Sequence, residues 1–294
     1  MYICMSDQHF FRNILVPVDD SRSCFHAKTF ASLIASKFKS KVTVVHATTH
    51  ECMHPELKAQ YRLPSAILQR IEEAYLKSGK KILQKAEDLF REDGIQIDSR
   101  LITCEDPAES VIELVKDEGY DLVIIGNRAG HQSERYALGS VTEKIARHAE
   151  CTVFIVKKKT LLEKILVAVD GSKYADRALE YAVQIANNFR VDLALLHVED
   201  DKLIRVGGPQ VLDCIGTIGE CILENAAKNI RGVPFGKFLK YGNPAETIIK
   251  MAHKGNVDLI VVGSRGVSSV KRFLLGSVSD DISMHARSSV LIVR

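Results

Sequence analysis

The sequence predicts an α/β fold that occurs twice in the chain, each time as a parallel sheet with helices on both faces. Two observations indicate this fold class. Short β-branched runs alternate with longer amphipathic segments, as in sheets built from strand–helix–strand units. In addition, one unit of roughly 140 residues is written twice, and a period of that size indicates two similar domains. The 294 residues are enough for two ordinary domains.

The repeat is clearest at the first predicted strand of each copy. NILVPVDDS at 13–21 returns as KILVAVDGS at 164–172, an offset of 151 residues. Further along, DPAE at 106–109 returns as NPAE at 243–246, an offset of 137 that then holds to the last predicted strand. The decrease of the offset from 151 to 137 shows that the first copy contains 14 additional residues before Pro107. We therefore expect two domains, residues 1–158 and 159–294.

The elements of the first copy follow from its periodicity. Strands are predicted at 13–18, 41–47, 96–102, 121–125 and 152–156, and helices near 22–39, 64–93, 107–118 and 140–149. Pro107 and Pro244 suit the first turn of a helix, with Asp106 and Asn243 as caps before them. Gly94 suits the end of the second helix.

Composition limits the function. Hydrophobic residues make up 46% of the chain and charged residues 26%, which is typical of a globular protein. A net charge of +3, with no basic run longer than the one at 157–159, does not predict nucleic-acid binding. No apolar run is long enough for a membrane span, and the first residues do not resemble a signal peptide. Seven scattered cysteines without a CxxC pair indicate reduced thiols, so we expect a cytoplasmic protein.

A glycine-containing stretch in the second copy is the main candidate site. It follows the buried apolar run 257–262 and places Gly263, Gly266 and Gly276 before Ser277 and a predicted helix. Glycine lets a backbone lie against a ligand, and the free amides of a helix start suit a phosphate. The spacing is neither the P-loop pattern nor the dinucleotide-binding pattern. We interpret the stretch as a phosphate cradle of another kind.

An aspartate ends the first strand of each copy, at Asp19 and Asp170. If the first and fourth strands are neighbours, each aspartate faces the glycine loop across one crevice, where ligands of open parallel sheets bind. This arrangement predicts a mononucleotide site. Alternatively, each aspartate belongs to a turn or caps a helix, and the glycines serve turn chemistry alone.

The two motifs, ILVxVDxS and Gly-x2-Gly-x9-Gly-Ser with a closing VxIV strand, resemble those of the universal stress protein family over essentially the whole chain. The resemblance implies two Rossmann-like (adenine nucleotide alpha hydrolase-like) domains, each a five-stranded parallel sheet of order 3-2-1-4-5. It also implies a cytoplasmic stress-response function and binding of ATP, or ADP or AMP in its place, together with Mg²⁺. Such domains pair through their fifth strands, here within one chain, and a homodimer is left open.

The resemblance also implies the ligand contacts. In the second copy these are Ala168, Asp170, Val198, Gly263, Arg265, Gly266, Gly276, Ser277 and Val278. In the first copy they are Pro17, Asp19, Ala47, Gly126, Arg128, Gly139, Ser140 and Val141. The first copy departs from the pattern, because Ala129 occupies the middle glycine position and Gly130 comes one residue late. We therefore expect the nucleotide in the second copy above all.

Three functions remain open at this point. The chain could be a nucleotide-dependent sensor or signalling module, a slow ATPase or autokinase acting through serines such as Ser264, or a structural partner-binding protein with degenerate sites. Phosphoryl transfer needs a positioned base, which the glycine loop does not show. A cluster of His46, His50, Cys52 and His54 fits no standard zinc spacing, so no metal centre is predicted.

Overall fold

The structure is a computed structural model that describes residues 10–49, 64–127, 138–157, 162–200, 209–266 and 275–294. The first half contains the strands β1 Asn13–Pro17, β2 Lys41–Thr49, β3 Ile97–Cys104, β4 Leu122–Gly126 and β5 Thr152–Val156, and the helices α1 Arg22–Phe38, α2 Ser65–Glu92, α3 Pro107–Glu118 and α4 Ser140–His148. The second half contains the strands β6 Lys164–Ala168, β7 Asp192–Glu199, β8 Phe235–Tyr241, β9 Leu259–Gly263 and β10 Ser289–Val293, and the helices α5 Lys173–Phe189, α6 Pro209–Ala227, α7 Pro244–Lys254 and α8 Ser277–His285.

The ten strands of the described residues form one sheet, in the order β3-β2-β1-β4-β5-β10-β9-β6-β7-β8. Each half therefore has the predicted order 3-2-1-4-5, and the strands within each half pair in parallel. The two sheets are not separate, because β5 and β10 pair antiparallel, with Phe154 opposite Leu291. Both strands are fully buried, so an unpaired edge there would leave backbone N–H and C=O groups unsatisfied inside the protein.

Helices cover both faces of this sheet, and two hydrophobic cores result. Alternate strand residues point to opposite faces, so Ile14 and Val16 lie in one core while Leu15 lies in the other. The first core packs under α1, α2, α5 and α6, and the second under α3, α4, α7 and α8. The predicted fold class is confirmed.

The predicted helix ends are present. The side chain of Asp106 accepts hydrogen bonds from the backbone N–H groups of Ala108 at 2.8 Å and Glu109 at 3.0 Å. Asn243 accepts from the N–H of Glu246 at 3.1 Å, and Gly94 follows α2 with a φ of 73°. The additional residues of the first half lengthen α2 to 28 residues, against 19 in α6.

Within the described ranges, none of the helices is both long enough and apolar enough to cross a bilayer. The cysteines whose side chains are described are free thiols, and Cys221 is exposed. Lys157, the first residue of the basic run at 157–159, is buried directly after β5.

Candidate functional site

A cavity of about 710 Å³ opens at the carboxyl ends of β6, β7 and β9 in the second half. This position is where open parallel sheets bind ligands, because the order of strands reverses there. The cavity is lined by all nine residues that the sequence singled out in this copy: Ala168, Asp170, Val198, Gly263, Arg265, Gly266, Gly276, Ser277 and Val278. The structure therefore brings the aspartate and the glycine loop together around one space.

Asp170 follows β6 and faces the glycine loop. Its Oδ1 accepts a hydrogen bond from the backbone N–H of Ser172 at 3.0 Å, and Ser172 itself caps α5 by accepting from the N–H of Ala175 at 3.2 Å. A Cβ added to Gly266 would lie 2.7 Å from Asp170 Oδ2. Any side chain at position 266 would consequently displace the carboxylate, so the missing Cβ keeps carboxylate and loop in close approach.

The first glycine of each loop has a different role. A Cβ on Gly263 would lie 2.7 Å from the carbonyl carbon of Tyr174, and one on Gly126 would lie 2.7 Å from that of Ser23. Tyr174 belongs to α5 and Ser23 to α1, so each glycine lets a helix start pack directly on a strand end. This requirement comes from packing of the fold and applies equally to both halves.

The start of α8 provides the other wall of the cavity. Gly276 is its N-cap, in extended conformation, and among the described residues no side-chain cap accepts a hydrogen bond from the first turn. The N–H of Gly276 donates to the carbonyl of Ser264 at 2.8 Å, and Ser279 Oγ donates to the carbonyl of Gly263 at 2.6 Å. These bonds fix the helix against the strand end. The amides of the first turn at Ser277 and Val278 remain without an intrahelical acceptor, as in helix termini that bind anions.

Tyr174 is a lining feature that the sequence reasoning missed. Arg265 Nη1 donates to the Tyr174 hydroxyl at 3.1 Å, and the guanidinium carbon lies 5.4 Å from the ring centroid. The aromatic ring therefore orients the guanidinium of a loop residue that lines the cavity. Alignment of the two copies places Tyr174 at the position of Ser23, and this difference directly after the aspartate turn could have indicated the tyrosine. Serine has no aromatic ring on which a guanidinium could lie.

Carboxylates dominate the charge of the second cavity. Besides Asp170, the described lining includes Glu199, Asp200 and Asp281, against the single guanidinium of Arg265. None of these three was predicted, since the motif carries no sign of them. A polyanion in this cavity therefore needs an accompanying cation, because the described lining does not neutralise it.

The first half has an equivalent but smaller cavity, of about 410 Å³. It is lined by seven of the eight residues predicted there: Pro17, Asp19, Ala47, Gly126, Gly139, Ser140 and Val141. Arg128, together with Ala129 and Gly130, lies outside the described residues, so the effect of the departure from the glycine pattern remains a prediction.

The aspartate of the first cavity is more fully engaged by its own turn. Asp19 Oδ1 accepts from both the N–H of Ser21 at 3.0 Å and the Ser21 hydroxyl at 2.5 Å. Cys24 stands where the second half has Ala175, and burial raises the pKa of its thiol to about 12, so the thiol stays protonated. The turn interpretation of the aspartates is thus correct for one carboxylate oxygen of each, while the serines cap the helices.

The histidines of β2 and β7 each form a hydrogen bond with the backbone beyond the neighbouring first strand. His46 Nδ1 lies 2.7 Å from the carbonyl of Val18, and His197 Nδ1 lies 2.6 Å from that of Val169. His50, Cys52 and His54 lie outside the described residues, among which no group of His, Cys, Asp and Glu could hold a metal ion.

Together, fold and site define a tandem α/β protein whose two halves each carry a glycine-lined cavity at the carboxyl ends of the strands. The chain belongs to the universal stress protein family: the model of that family matches residues 10–157 and again 162–294, so nearly the whole chain is covered.

Two relatives show that the chain is similar both to a single-domain protein and to a protein of its own length. Universal stress protein YxiE of Bacillus subtilis is 34% identical over 148 residues, which is 46% of this chain and 100% of that protein. Universal stress protein Rv2623 of Mycobacterium tuberculosis is 24% identical over 304 aligned positions, covering 99% of both chains. The first matches one half and the second matches the tandem arrangement.

A solved structure shares the complete architecture. The crystal structure of a universal stress protein from Archaeoglobus fulgidus superposes with a TM-score of 0.71 and 22% identity, covering 97% of this chain and 98% of that chain. At this identity the similarity concerns the fold.

Proposed function

We propose that this universal stress protein binds ATP, or ADP or AMP in its place, in its second half. Through this binding it acts as a nucleotide-dependent sensor or signalling module in the stress response. The observation that supports this most is the cavity of about 710 Å³ in which Asp170 faces Gly266 beside the uncapped start of α8. Its volume lies in the range of pockets that bind a ligand of drug size.

The two ends of the cavity suit the two ends of a nucleotide. The start of α8 and the loop at Gly266 offer backbone amides, which match phosphate oxygens. The ends of β6 and β7, at Ala168 and Val198, offer a less polar wall for a base, and Asp170 between them can accept from a ribose hydroxyl. This placement assigns the phosphates to the helix side and the nucleoside to the strand side.

The donor set fits Mg²⁺ that arrives with the nucleotide. Magnesium in such sites is held by phosphates, water and one or two carboxylates rather than by an all-protein cage. Asp170 and Asp281 both line the cavity and carry the required oxygens. The cation would also offset the repulsion between phosphates and the carboxylates of the lining.

The geometry favours binding over turnover. Ser264 is 2% exposed, so its hydroxyl is not accessible as a phosphate acceptor. Of the other serines in this stretch, Ser277 is exposed and lines the cavity, so it stays a candidate phosphate acceptor, and Ser268 and Ser269 lie outside the described residues. A slow ATPase or autokinase would be revealed by radiolabelled γ-phosphate, either on the protein or released, with loss of the signal in Asp170→Ala.

The test is calorimetric titration of the purified chain with Mg-ATP, together with thermal unfolding. We expect Gly276→Val to weaken ATP binding by at least about tenfold, because the added side chain meets Ser264 O and Arg265 Cα, which lie 3.3 Å and 3.4 Å from a Cβ there. Gly139→Val makes the matched change in the first half and should alter the main binding event little. Absence of heat and of a melting shift with ATP, ADP and AMP would refute the proposal.

A further inference from the structure

A second large cavity lies away from the nucleotide site, against the sheet face that α7 covers only in part. It has a volume of about 860 Å³ and is lined on its floor and sides by Leu166, Ala194, Gly236, Phe238, Met251 and Val257. We call it the amino-end groove, because it begins at the first residues of β6, β7 and β8, Lys164, Asp192 and Phe235. The glycine loop and the strand ends of the proposed nucleotide site are at the opposite end of the sheet.

The first half fills the equivalent position with its own side chains. Tyr120 is buried there, with 8% of its surface exposed, and its hydroxyl donates to Glu118 at 3.3 Å, while Arg100 forms an ion pair with the same carboxylate. The offset of 137 residues places Val257 at the position of Tyr120 and Gly255 at that of Glu118.

The strands also differ between the halves, because a charged residue of β3 is replaced by an apolar residue in β8. Arg100 lies opposite Val45, and Phe238 lies opposite the matching Leu196, so Phe238 takes the position of Arg100. The ring of Phe238 folds back along its strand, since a Cβ on Gly236 would lie 3.0 Å from Phe238 Cε2. The groove therefore opens where the first half has a tyrosine and an ion pair.

The rim of the groove is basic, in contrast to the first half. Its described lining contains four lysines, Lys164, Lys240, Lys250 and Lys254, and one carboxylate, that of Asp192. Lys250 pairs with Glu246 on the exposed face of α7, at 3.0 Å. For the ammonium groups of Lys240 and Lys254 the described part of the chain provides no hydrogen-bond acceptor or ion pair. On the matching helix of the first half, Glu113 and Asp117 occupy the positions of Lys250 and Lys254, so the charge is reversed.

Aromatic surface is available beside these charges. Phe235 is 40% exposed and Phe238 is 38% exposed, and both belong to β8, the last strand of the sheet. Large apolar side chains exposed next to an apolar cavity, with ammonium groups around the rim, match a ligand that has an apolar body and a negative head.

From these observations we infer that the amino-end groove binds a small organic anion, with an aromatic or branched apolar body against Phe238 and Val257 and a carboxylate head among the lysines. The apolar floor would contribute most of the binding free energy, and the four lysines would select the charge. This inference is independent of the proposed nucleotide function, because the two cavities have no lining residue in common within the described ranges.

The experiment uses the full chain and two fluorescent probes, pyrenebutyrate and pyrenebutanol, which share the ring system and differ in charge. We expect pyrenebutyrate to bind about tenfold more tightly than pyrenebutanol, measured by fluorescence anisotropy in the presence of saturating Mg-ATP. Val257→Tyr, which restores the residue of the first half, should weaken both probes by about tenfold. Thermal unfolding and circular dichroism verify that this buried substitution still folds.

A second variant avoids the core. Lys250→Glu combined with Lys254→Asp changes two exposed side chains, and it should remove the preference for pyrenebutyrate while leaving pyrenebutanol unchanged. Lys37→Glu combined with Lys116→Glu makes the same change in net charge elsewhere on the surface and should have no effect.

Three results would overturn the inference. The first is that Val257→Tyr and the Lys250/Lys254 variant bind both probes as the unmodified chain does. The second is binding of pyrenebutyrate only when Mg-ATP is left out, which would place the probe in the nucleotide cavity. The third is a change of molar mass from dimer to monomer on Val257→Tyr in light scattering, which would show that a second copy of the chain covers the groove.

Discussion

Lys157 and Arg294 occupy equivalent positions, one residue after β5 and one residue after β10, and each binds a helix of the opposite half. Lys157 Nζ donates to the carbonyls of Ser283 at 2.6 Å and Ala286 at 2.8 Å, at the end of α8. Arg294 Nη2 donates to the carbonyl of Ala146 at 2.6 Å, near the end of α4. Because cations are favourable at helix C-termini, these contacts hold the two halves together reciprocally around the β5–β10 pair.

The burial of Lys157 predicts an unusual pH dependence of stability. Burial lowers the pKa of its ammonium from 10.5 to about 8. Between these values the unfolded chain holds a proton that the folded chain has released, so the free energy of unfolding gains a contribution that rises with pH in this window. Below about pH 8 both states are protonated and the cost of burying the charge is present in full.

Lys157→Met should remove this rise. Urea unfolding at several pH values between 7 and 10.5 gives the free energy of unfolding of the variant and of the unmodified chain. In the difference between the two free energies, the titration of all other groups cancels. Lys228→Met, at an exposed lysine, is the control. A difference that stays flat across the window would contradict the prediction.

An ion pair across the two halves predicts a measurable coupling energy. Arg147 on α4 donates from Nε and Nη2 to both carboxylate oxygens of Asp280 on α8, each at 2.9 Å, and also pairs with Glu143. The pair is partly exposed, so we expect a coupling energy of about 1 kcal/mol or less. A double-mutant cycle with Arg147→Met and Asp280→Asn measures it, and the value should fall in high salt. A coupling of zero at low salt would indicate that the pair does not contribute.

The packing of Gly263 predicts a large effect of one methyl group. In Gly263→Ala the Cβ would lie 2.7 Å from the carbonyl carbon and 2.8 Å from the carbonyl oxygen of Tyr174, which are backbone atoms and cannot rotate away. We expect destabilisation of about 1–3 kcal/mol in chemical denaturation.

Gly216→Ala is the matched control for this substitution. Its Cβ would meet only the hydroxyl of Tyr241, at the end of a movable side chain, and it lies inside α6. Because alanine favours helix over glycine, this variant should be neutral or stabilising by up to about 1 kcal/mol. Equal destabilisation by both variants would argue against the packing explanation.

The buried contact between His197 and Glu199 predicts a difference between isosteric and apolar substitutions. His197 Nε2 lies 3.0 Å from Glu199 Oε1, and both residues are buried. Glu199→Leu leaves the ring nitrogen without an acceptor or donor, which should cost about 1–3 kcal/mol, whereas Glu199→Gln retains a hydrogen bond. Thr48→Leu is the matched change in the first half, because Thr48 aligns with Glu199 there. Since His46 has no glutamate beside it, we expect a smaller cost in stability. Equal costs for the leucine and glutamine variants would exclude the hydrogen bond as the cause.

Most secondary structure could be predicted because it depends on local periodicity. The strand at 152–156 and the capped helix after Asp106 follow from neighbouring residues alone, and the structure has them within one or two positions. Nine of the residues that line the nucleotide cavity of the second half could also be named in advance, because the resemblance to the universal stress protein family implied them.

What the sequence did not indicate depends on residues far apart in the chain. Tyr174 beside Arg265 and the carboxylates of Glu199 and Asp281 converge only when strands from different parts of the chain align. In the sequence, Gly263 cannot be distinguished from the other loop glycines. Its role in helix packing follows only from the short distance between a Cβ at this position and the backbone of Tyr174.

By itself, the sequence determined that one α/β unit occurs twice and that an aspartate and a glycine loop lie at the strand ends of each, because periodicity and repeats are encoded in neighbouring residues. Only the tertiary structure decided that Lys157 is buried against the opposite half, and that Val257 leaves a groove where Tyr120 fills the equivalent space. These features depend on the volume and charge of side chains that meet across long separations, and no local pattern records such meetings.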